Sequence, residues 1–440
     1  MAEIAPLTPL RYDLTRAPLA SVIAPPYDVI SEADKKELAA RHPNNVVRLI
    51  LPDGEGDAKY PHAAALLDEW LKAGVLVRDN EPAFYRYDQS FLPPGQTEGK
   101  SITRRGFLAA VRLHPFSERV ILPHERTLSG PKEDRLKLFR ATRTQLSPGF
   151  MLYSDPRSEL DAPLETGNVV TEFATPDGVH HVLAKVTARD AVMAIVDQLR
   201  RGTLLIADGH HRYETAVHYR DEISAQNAGA GEHAEHKYFM TFLVNGDDPN
   251  LVVFPTHRLV HSLPSFDYEA MLAKAEPLFT VSRRTDSPSA DVLLEWLKSA
   301  PSRPAFVAAA GTRAALLALK PEVDLGAHPT LGPLVPALRK TDVAVLHSGV
   351  LENLLGVSQE AQAKKTNIRY PQDARAALAE LRSGAAQVLF LMSATPVAQV
   401  RDVAEAGEVM PQKSTFFYPK VPTGLAIHTL DPGRTVPSAV

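Results

Sequence analysis

An α/β or α+β fold with mixed sheets is predicted by three features of the chain. Apolar or aromatic runs of strand length alternate with segments whose apolar residues recur at helical spacing. Prolines, 36 of 440 residues, flank many of the strand-like runs and so mark many stiff turns. A hydrophobic fraction of 44% and a charged fraction of 23% fit an ordinary globular protein with a substantial core.

The elements follow in order. Pro25 and Pro26 restrict the backbone before Tyr27 and Asp28, which places these two side chains on a rigid loop. Ser31 and Asp34 have the spacing of a capping box, so a helix is expected to about Arg41. Ala64, Leu67, Trp70 and Leu71 predict a helix over 59–74. Ala83 to Leu92 and Arg105 to Leu113 read as paired strands around a polar hairpin tip, Glu98 to Arg104. A basic helix is expected over 132–145, with short strands at Phe150 to Tyr153, Val169 to Ala174 and His180 to Val186. Ala188 to Leu199 is a helix. Thr203 to Ala207 is a strand, followed by a helix from about Tyr213 to Asn227. Strands at Lys237 to Asn245 and Leu251 to His257 close this part. Beyond them, helices near 267–276, 288–299, 342–355 and 371–382 alternate with strands near 305–310, 314–319 and 387–392. A helix at Val400 to Ala406 precedes a loop-like end from Met410 to Leu425. The division expected is 1–264 and 265–440, with the C-terminal tail returning to the site of the first region.

Composition narrows the chemistry. The formal charge of −4 gives no basic excess for nucleic acid or anionic lipid. With no cysteine, disulfides, thiolate nucleophiles and Cys-ligated metals are excluded. The first residues lack a basic stretch followed by a sustained apolar one, so no secretory signal is expected. The most apolar stretch, Val388 to Ala398, falls short of the roughly 20 residues that cross a bilayer. A cytoplasmic protein with small-molecule partners, no nucleic acid and no membrane is the expectation.

The sharpest local signal is Leu204 to Ala216, where an apolar strand runs into Asp208-Gly209-His210-His211-Arg212 and then a helix. Gly209 allows close backbone approach, and the free N–H groups of a helix start favour anions. Arg212 offers a fork of donors suited to phosphate or carboxylate. Asp208 is a general base, a cation holder or simply a helix cap. A second polar segment carries His124, Glu125, Arg126, Thr127 and Lys132. Glu125 suits acid–base work; Arg126, Thr127 and Lys132 suit phosphate, unless the loop is only a solvated lead into a basic helix. The third, Lys413-Ser414-Thr415, is similar to the end of a Walker A loop but lacks the upstream glycines, so it is a phosphate clamp at most. The fourth is Tyr27 and Asp28 on their proline loop, suited to a substrate amine or hydroxyl. His124, His210, His211 and His257 are the available metal ligands, without the spacing of a known metal motif.

Four segments, Ala24 to Ile30, Pro123 to Ser129, Ala207 to Glu214 and Met410 to Thr415, resemble those of the bacterial and archaeal domain-of-unknown-function 1015 family, from about residue 5 to 425. Asp208 to Arg212 also resembles the phosphate-binding box of the ParB/sulfiredoxin superfamily, which includes nucleotide-dependent free serine kinases. Sulfiredoxin chemistry needs a cysteine that is missing here, and no basic helix-turn-helix supports a ParB-like role.

The resemblance implies a ParB/sulfiredoxin-like core joined to a second α/β region. It implies a small-molecule kinase that moves a phosphoryl group from ATP or ADP, with Mg²⁺, to a small hydroxyl compound, free L-serine first among them. In that scheme Asp208 or Glu125 is the base. Gly209, His210, His211, Arg212, Lys413, Ser414, Thr415, Arg126 and Thr127 hold phosphate or nucleotide. Tyr27, Asp28 and His124 meet the acceptor. The alternatives are a non-catalytic nucleotide- or phosphometabolite-binding regulator and, behind it, a His-dependent metallohydrolase.

Overall fold

Mixed α/β architecture is what the chain adopts. A computed structural model of the protein describes residues 1–93, 98–125, 127 and 129–437. They form two compact units, Met1–Pro123 with Thr127–Leu251 and Pro419–Val440, and His124–Arg126 with Val252–Tyr418. The sequence-based division at 264 thus falls inside the second unit, and the last segment of the chain joins the first.

The first unit is built on a nine-stranded mixed sheet: β1 (Ile4–Ala5), β2 (Phe84–Phe91), β3 (Ile102–Arg112), β4 (Ile121–Leu122), β5 (Gly149–Tyr153), β6 (Asn168–Ala174), β7 (His180–Val186), β8 (Leu204–Asp208) and β9 (Tyr238–Asn245). The order is β4-β8-β5-β9-β3-β2-β7-β6, with β1 on β3. The β8–β4 and β9–β5 pairs are parallel and the other neighbours antiparallel. Its helices include α1 (Glu32–Arg41), α2 (Lys59–Lys72), α3 (Ser129–Thr142), α4 (Arg189–Leu199) and α5 (His210–Gln226).

Local chemistry accounts for several of these boundaries. The capping box forms as the sequence predicts: Asp34 N–H donates to the Ser31 hydroxyl, and Ser31 N–H to the Asp34 carboxylate at 2.9 Å. Ile195 and Leu199 of α4 and Tyr213, Ala216 and Tyr219 of α5 pack against Phe107, Met151, Ile206, Phe239 and Leu243 of the sheet. Each large side chain buried this way stabilises the fold by about 1.5–3 kcal/mol.

One departure from expectation matters for function. The segment read as a hairpin tip ends inside β3, and Arg104 is fully buried in that strand. Strand alternation puts Arg104, Gly106 and Leu108 on one face, away from the face that carries Phe107 and Ala109. A Cβ at Gly106 would run into the Leu243 carbonyl and the Phe242 ring. The missing side chain therefore makes room for Phe242, over which the Arg104 guanidinium lies, 5.5 Å from the ring centre.

The second unit has a six-stranded, wholly antiparallel sheet. Besides a short β10 (Val252–Phe254), its strands are β11 (Arg258–Val260), β12 (Phe279–Arg284), β13 (Ala305–Ala310), β14 (Arg313–Leu319), β15 (Ile368–Arg369) and β16 (Val388–Met392), in the order β12-β14-β13-β16-β11-β15. Small side chains such as Ala305, Ala309, Ala314 and Ala318 let Leu293, Leu297, Leu378 and Leu381 of two helices, Ala290–Lys298 and Ala374–Arg382, close over one face. The helix expected over 342–355 is α-helical only over Asp342–Ala344; a π-helix, Val345–Glu352, continues it. The end expected to be loop-like holds β17 (Phe416–Tyr418), which pairs with β10. Among the described residues no helix is long and apolar enough to cross a membrane.

Gly106→Ala should destabilise the first unit by about 1–3 kcal/mol, the usual cost of overpacking. The expected outcome is a lower urea midpoint with an unchanged far-ultraviolet circular dichroism spectrum. An unaltered midpoint would show that the β3–β9 contact has slack.

Candidate functional site

Strand β8 ends at Asp208, and the chain turns into α5 through Gly209, whose φ of +93° lies in the left-handed region. A side chain there would be strained, and its Cβ would also sit 3.0 Å from Arg212 Cζ and Nη2. Glycine is thus required both for the turn and for the Arg212 guanidinium to fold back over it. Helix α5 starts at His210, three residues earlier than the sequence suggests, so His210, His211 and Arg212 belong to its first turn.

Arg212 is buried. Its Nη2 donates to Asp208 Oδ2 at 2.7 Å, and its Nη1 donates to the Pro148 carbonyl. The other carboxylate oxygen, Oδ1, accepts from Lys420 Nζ at 2.8 Å. Burial alone would raise the Asp208 carboxyl, but Lys420 and then Arg212 outweigh it and hold the group well below the usual carboxylate range, with His210 adding to the effect. Both oxygens are engaged and the group is weakly basic, which suits ordering the two cations better than taking a proton.

Arg104 is the third cation. Its Nη2 donates to the Pro419 carbonyl at 2.6 Å and to the Gln89 side-chain oxygen. The guanidinium lies over Phe150 as well as Phe242, 4.9 Å from the Phe150 centroid. Burial pushes it down to about 9, against the opposing pull of Tyr87 and Asp208, so it remains charged at neutral pH. Its Nε and Nη1 are buried and have no hydrogen-bond partner among the described residues. Gln89 Nε2 also donates to the Lys420 carbonyl at 3.3 Å. Arg104 and Gln89 therefore fix the backbone on which Lys420 reaches Asp208. Sequence reasoning singled out neither Arg104 nor Lys420. The available signal for Arg104 was a charge in register with the apolar face of a strand. For Lys420 there is only its place at the end of the polar segment Met410 to Lys420, in which Lys413, Ser414 and Thr415 carry the expected role.

Tyr27 belongs to the same unit, in a short 3₁₀ turn, Tyr27–Val29. The Arg135 guanidinium lies over its ring at 4.2 Å, and Arg212 is within electrostatic reach of its hydroxyl. Asp28 is exposed beside it. Thr127 Oγ1 and Lys132 Nζ both donate to Glu214 Oε2, at 2.8 and 2.6 Å, one helical turn beyond His210. Arg126 lies outside the described residues.

The remaining candidates sit in the second unit and contact one another. His124 Nε2 is 2.9 Å from Thr415 Oγ1, and the His124 carbonyl accepts from Met410 N–H at 2.8 Å. Ser414 N–H donates to Glu125 Oε1 at 3.3 Å. Lys413 is exposed with a φ of +59°, and its carbonyl accepts from Arg258. The tail that enters the first unit is thus Pro419 onward, carrying Lys420 in place of the expected Lys413, Ser414 and Thr415. Among the described residues no three His, Asp or Glu side chains are gathered to hold a metal.

The family model for DUF1015, a protein of unknown function, matches residues 4–344. No curated protein matches the chain. Among solved structures, a conserved hypothetical protein from Pyrococcus furiosus is 14% identical, with 71% of this chain and 93% of that one covered at a TM-score of 0.35. A free serine kinase variant in complex with ADP is 13% identical, with 77% and 97% covered at 0.37. SbnI with a C-terminal truncation from Staphylococcus aureus is 10% identical, with 73% and 87% covered at 0.34. At these TM-scores the likenesses are loose.

The depressed Asp208 carboxyl sets a pH signature. A lowered pKa contributes stability that is complete above the unfolded value of about 4 and fades as pH falls toward the folded value. Asp208→Asn should therefore have a lower urea midpoint than wild type throughout pH 5–8, with the gap narrowing by pH 3. A gap that widens on acidification would contradict the ion-pair assignment.

Proposed function

The chain belongs to the DUF1015 family, whose description assigns no activity, and from the geometry of its β8–α5 junction we propose that it binds the phosphates of a nucleotide there. The observation that carries this is the charge balance. Lys420, Arg212 and Arg104 are all within electrostatic reach of one shared carboxylate, Asp208, and among the described residues two buried donors of Arg104 have no partner. Such an arrangement is costly unless an anion shares it. The left-handed Gly209 and the first turn of α5 add backbone donors and the positive end of a helix dipole.

The fuller proposal is a small-molecule kinase. It transfers a phosphoryl group from ATP or ADP to a small hydroxyl compound, with free L-serine the first acceptor to test. Arg212 and Lys420 would hold the phosphates, Asp208 would order these two cations, and Tyr27 and Asp28 would meet the acceptor. With both Asp208 oxygens in ion pairs, the junction offers Mg²⁺ no free carboxylate pair. Mg²⁺ fits instead as an ion carried in on the nucleotide's phosphates, where it would neutralise charge during transfer. The engagement of Asp208 also favours an alternative, a non-catalytic nucleotide-binding regulator that needs the cations but no base.

Calorimetry and mass spectrometry test both. A charge-assisted contact is worth about 1.5–3 kcal/mol, so Arg212→Ala should weaken ATP or ADP binding by roughly 10- to 150-fold. Equal affinity in wild type and variant would remove the phosphate cradle. Incubation with Mg²⁺, ATP, ADP or pyrophosphate and a pool containing L-serine should yield a phosphorylated product. Tight binding with no product from any donor would make the protein a regulator. In the active case Asp208→Asn should weaken nucleotide binding. A fall in kcat of about 10²–10⁴ at unchanged affinity would make Asp208 the base after all, and the same result for Glu125→Gln would give that role to Glu125.

A further inference from the structure

The first unit carries a further groove, of about 560 Å³, and none of the residues lining it belongs to the Asp208 junction. That volume is typical of small-molecule sites. Leu67, Asp68 and Leu71 of α2 line it, and their spacing puts all three on one side of the helix. Leu10, Leu76, Val77 and Arg78 come from a short antiparallel pair of strands, Leu10–Tyr12 with Leu76–Arg78. Thr142 to Thr144, Thr429 and Asp431 also contribute. Leu10, Leu67 and Leu76 are buried. Leu71 and Val77 are 36% and 40% exposed, two of the few large apolar side chains left in water among the described residues.

Most polar groups of this lining are already spent. Arg78 donates to the Thr8 carbonyl at 2.9 Å and to Thr429 Oγ1 at 3.0 Å, and it faces the buried Glu235 carboxylate. Thr429 Oγ1 donates to Glu235 Oε2. Thr144 Oγ1 donates to Thr142 Oγ1, which donates to the Leu138 carbonyl. Asp431 Oδ1 accepts from Gly433 N–H at 2.8 Å. Two charged side chains remain. Among the described residues, neither the Arg143 guanidinium nor the Asp68 carboxylate has a hydrogen-bond or ion-pair partner, and they do not pair with each other. Arg143 has a φ of +50°, a left-handed conformation that a residue with a side chain seldom takes. Its N–H donates to the Phe139 carbonyl at 2.7 Å, and its carbonyl accepts from Leu430 N–H at 2.9 Å. With its backbone groups engaged, what Arg143 has left for a ligand is its side chain.

We infer that this groove binds a small zwitterion with an aliphatic body, its carboxylate on Arg143, its ammonium at Asp68 and its aliphatic part against Leu71 and Val77. A guanidinium fork matches a carboxylate in shape and charge. A ligand of one sign alone would be attracted by one of the two free groups and repelled by the other. Free α-amino acids with aliphatic side chains share this chemistry with short aliphatic peptides. The groove lies wholly within the first unit and does not depend on phosphate binding at Asp208.

Ligand-observed NMR titration of the full chain with L-leucine and with L-leucyl-L-leucine tests this and separates the two sources. At least one should bind in the millimolar range or tighter. Binding of leucine marks an amino-acid site; binding of the dipeptide alone marks a site for peptide termini. The N-acetylated and C-amidated forms of the bound ligand each lack one charge and should bind at least about fivefold more weakly. Glycine, which keeps both charges without the aliphatic body, should also bind at least about fivefold more weakly. Arg143→Gln and Asp68→Asn, both at exposed positions, should each cost at least about fivefold. The first should also remove the preference for a free carboxylate, and the second the preference for a free ammonium. If one variant loses its native circular dichroism, the other decides. No binding by either zwitterion, equal binding by the blocked forms, or binding unchanged in a correctly folded variant would overturn the assignment.

Discussion

A carboxylate shared among cations is the constraint around which the first unit is organised. Asp208 can face Arg212 only because Gly209 takes a left-handed turn and leaves the guanidinium space to fold back. It can face Lys420 only because Arg104 and Gln89 hold the Pro419 and Lys420 carbonyls. Arg104 in turn tolerates full burial because Gly106 admits the Phe242 ring beneath it. Each link is a local steric or hydrogen-bonding requirement. Together they tie a strand end, a helix start, a central strand and the chain's tail to one charged group. Buried ion clusters are poor stabilisers compared with well-packed apolar groups. The anionic partner proposed above would share the three cations gathered round Asp208.

The second unit has a different chemical character. Its alanine-rich strands and closely set helices make an ordinary apolar core. Its polar interest lies where the 124–125 and 410–415 segments meet and where the π-helix lines a cavity. Arg258 serves both places, since one guanidinium donates to His347 and to the Lys413 carbonyl. In the first unit buried arginine concentrates charge. In the second it fixes a tautomer and a loop.

What the sequence could reveal followed from the range of the interaction. The capping box at Ser31 and Asp34, the amphipathic pattern of Lys59–Lys72 and the strand–glycine–helix junction at 204–212 are short-range, and each was legible. Arg104 was misplaced because a single charge among polar neighbours reads as a turn, and only the sheet shows that its alternation with Gly106 and Leu108 buries it. Lys420 was missed because its significance is a partner 212 residues away. The four segments that the sequence groups by resemblance are divided between units: Asp208 to Arg212 and Tyr27 in one, His124, Glu125 and Lys413 to Thr415 in the other. Periodicity carries no information about such a division. The π-helical winding of Val345–Glu352 was likewise hidden, because its residues satisfy the ordinary helical pattern almost as well.

The discontinuity of the first unit has a consequence for how the protein is made. Chains leave the ribosome from the N-terminus, and domains generally fold as they emerge. The large sheet can pair once Asn245 is out, yet Pro419 and Lys420 appear only after the whole of the second unit has been synthesised. Until then Arg104 lacks its Pro419 carbonyl and Asp208 lacks one of its two cations. The nascent first unit is therefore a sheet with an unsealed, charge-bearing face, and the segment from Pro419 onward acts as its closing strap. The Asp208 junction is completed only once Pro419 and Lys420 have been synthesised, so a chain ending before them would fold much of this core without that junction.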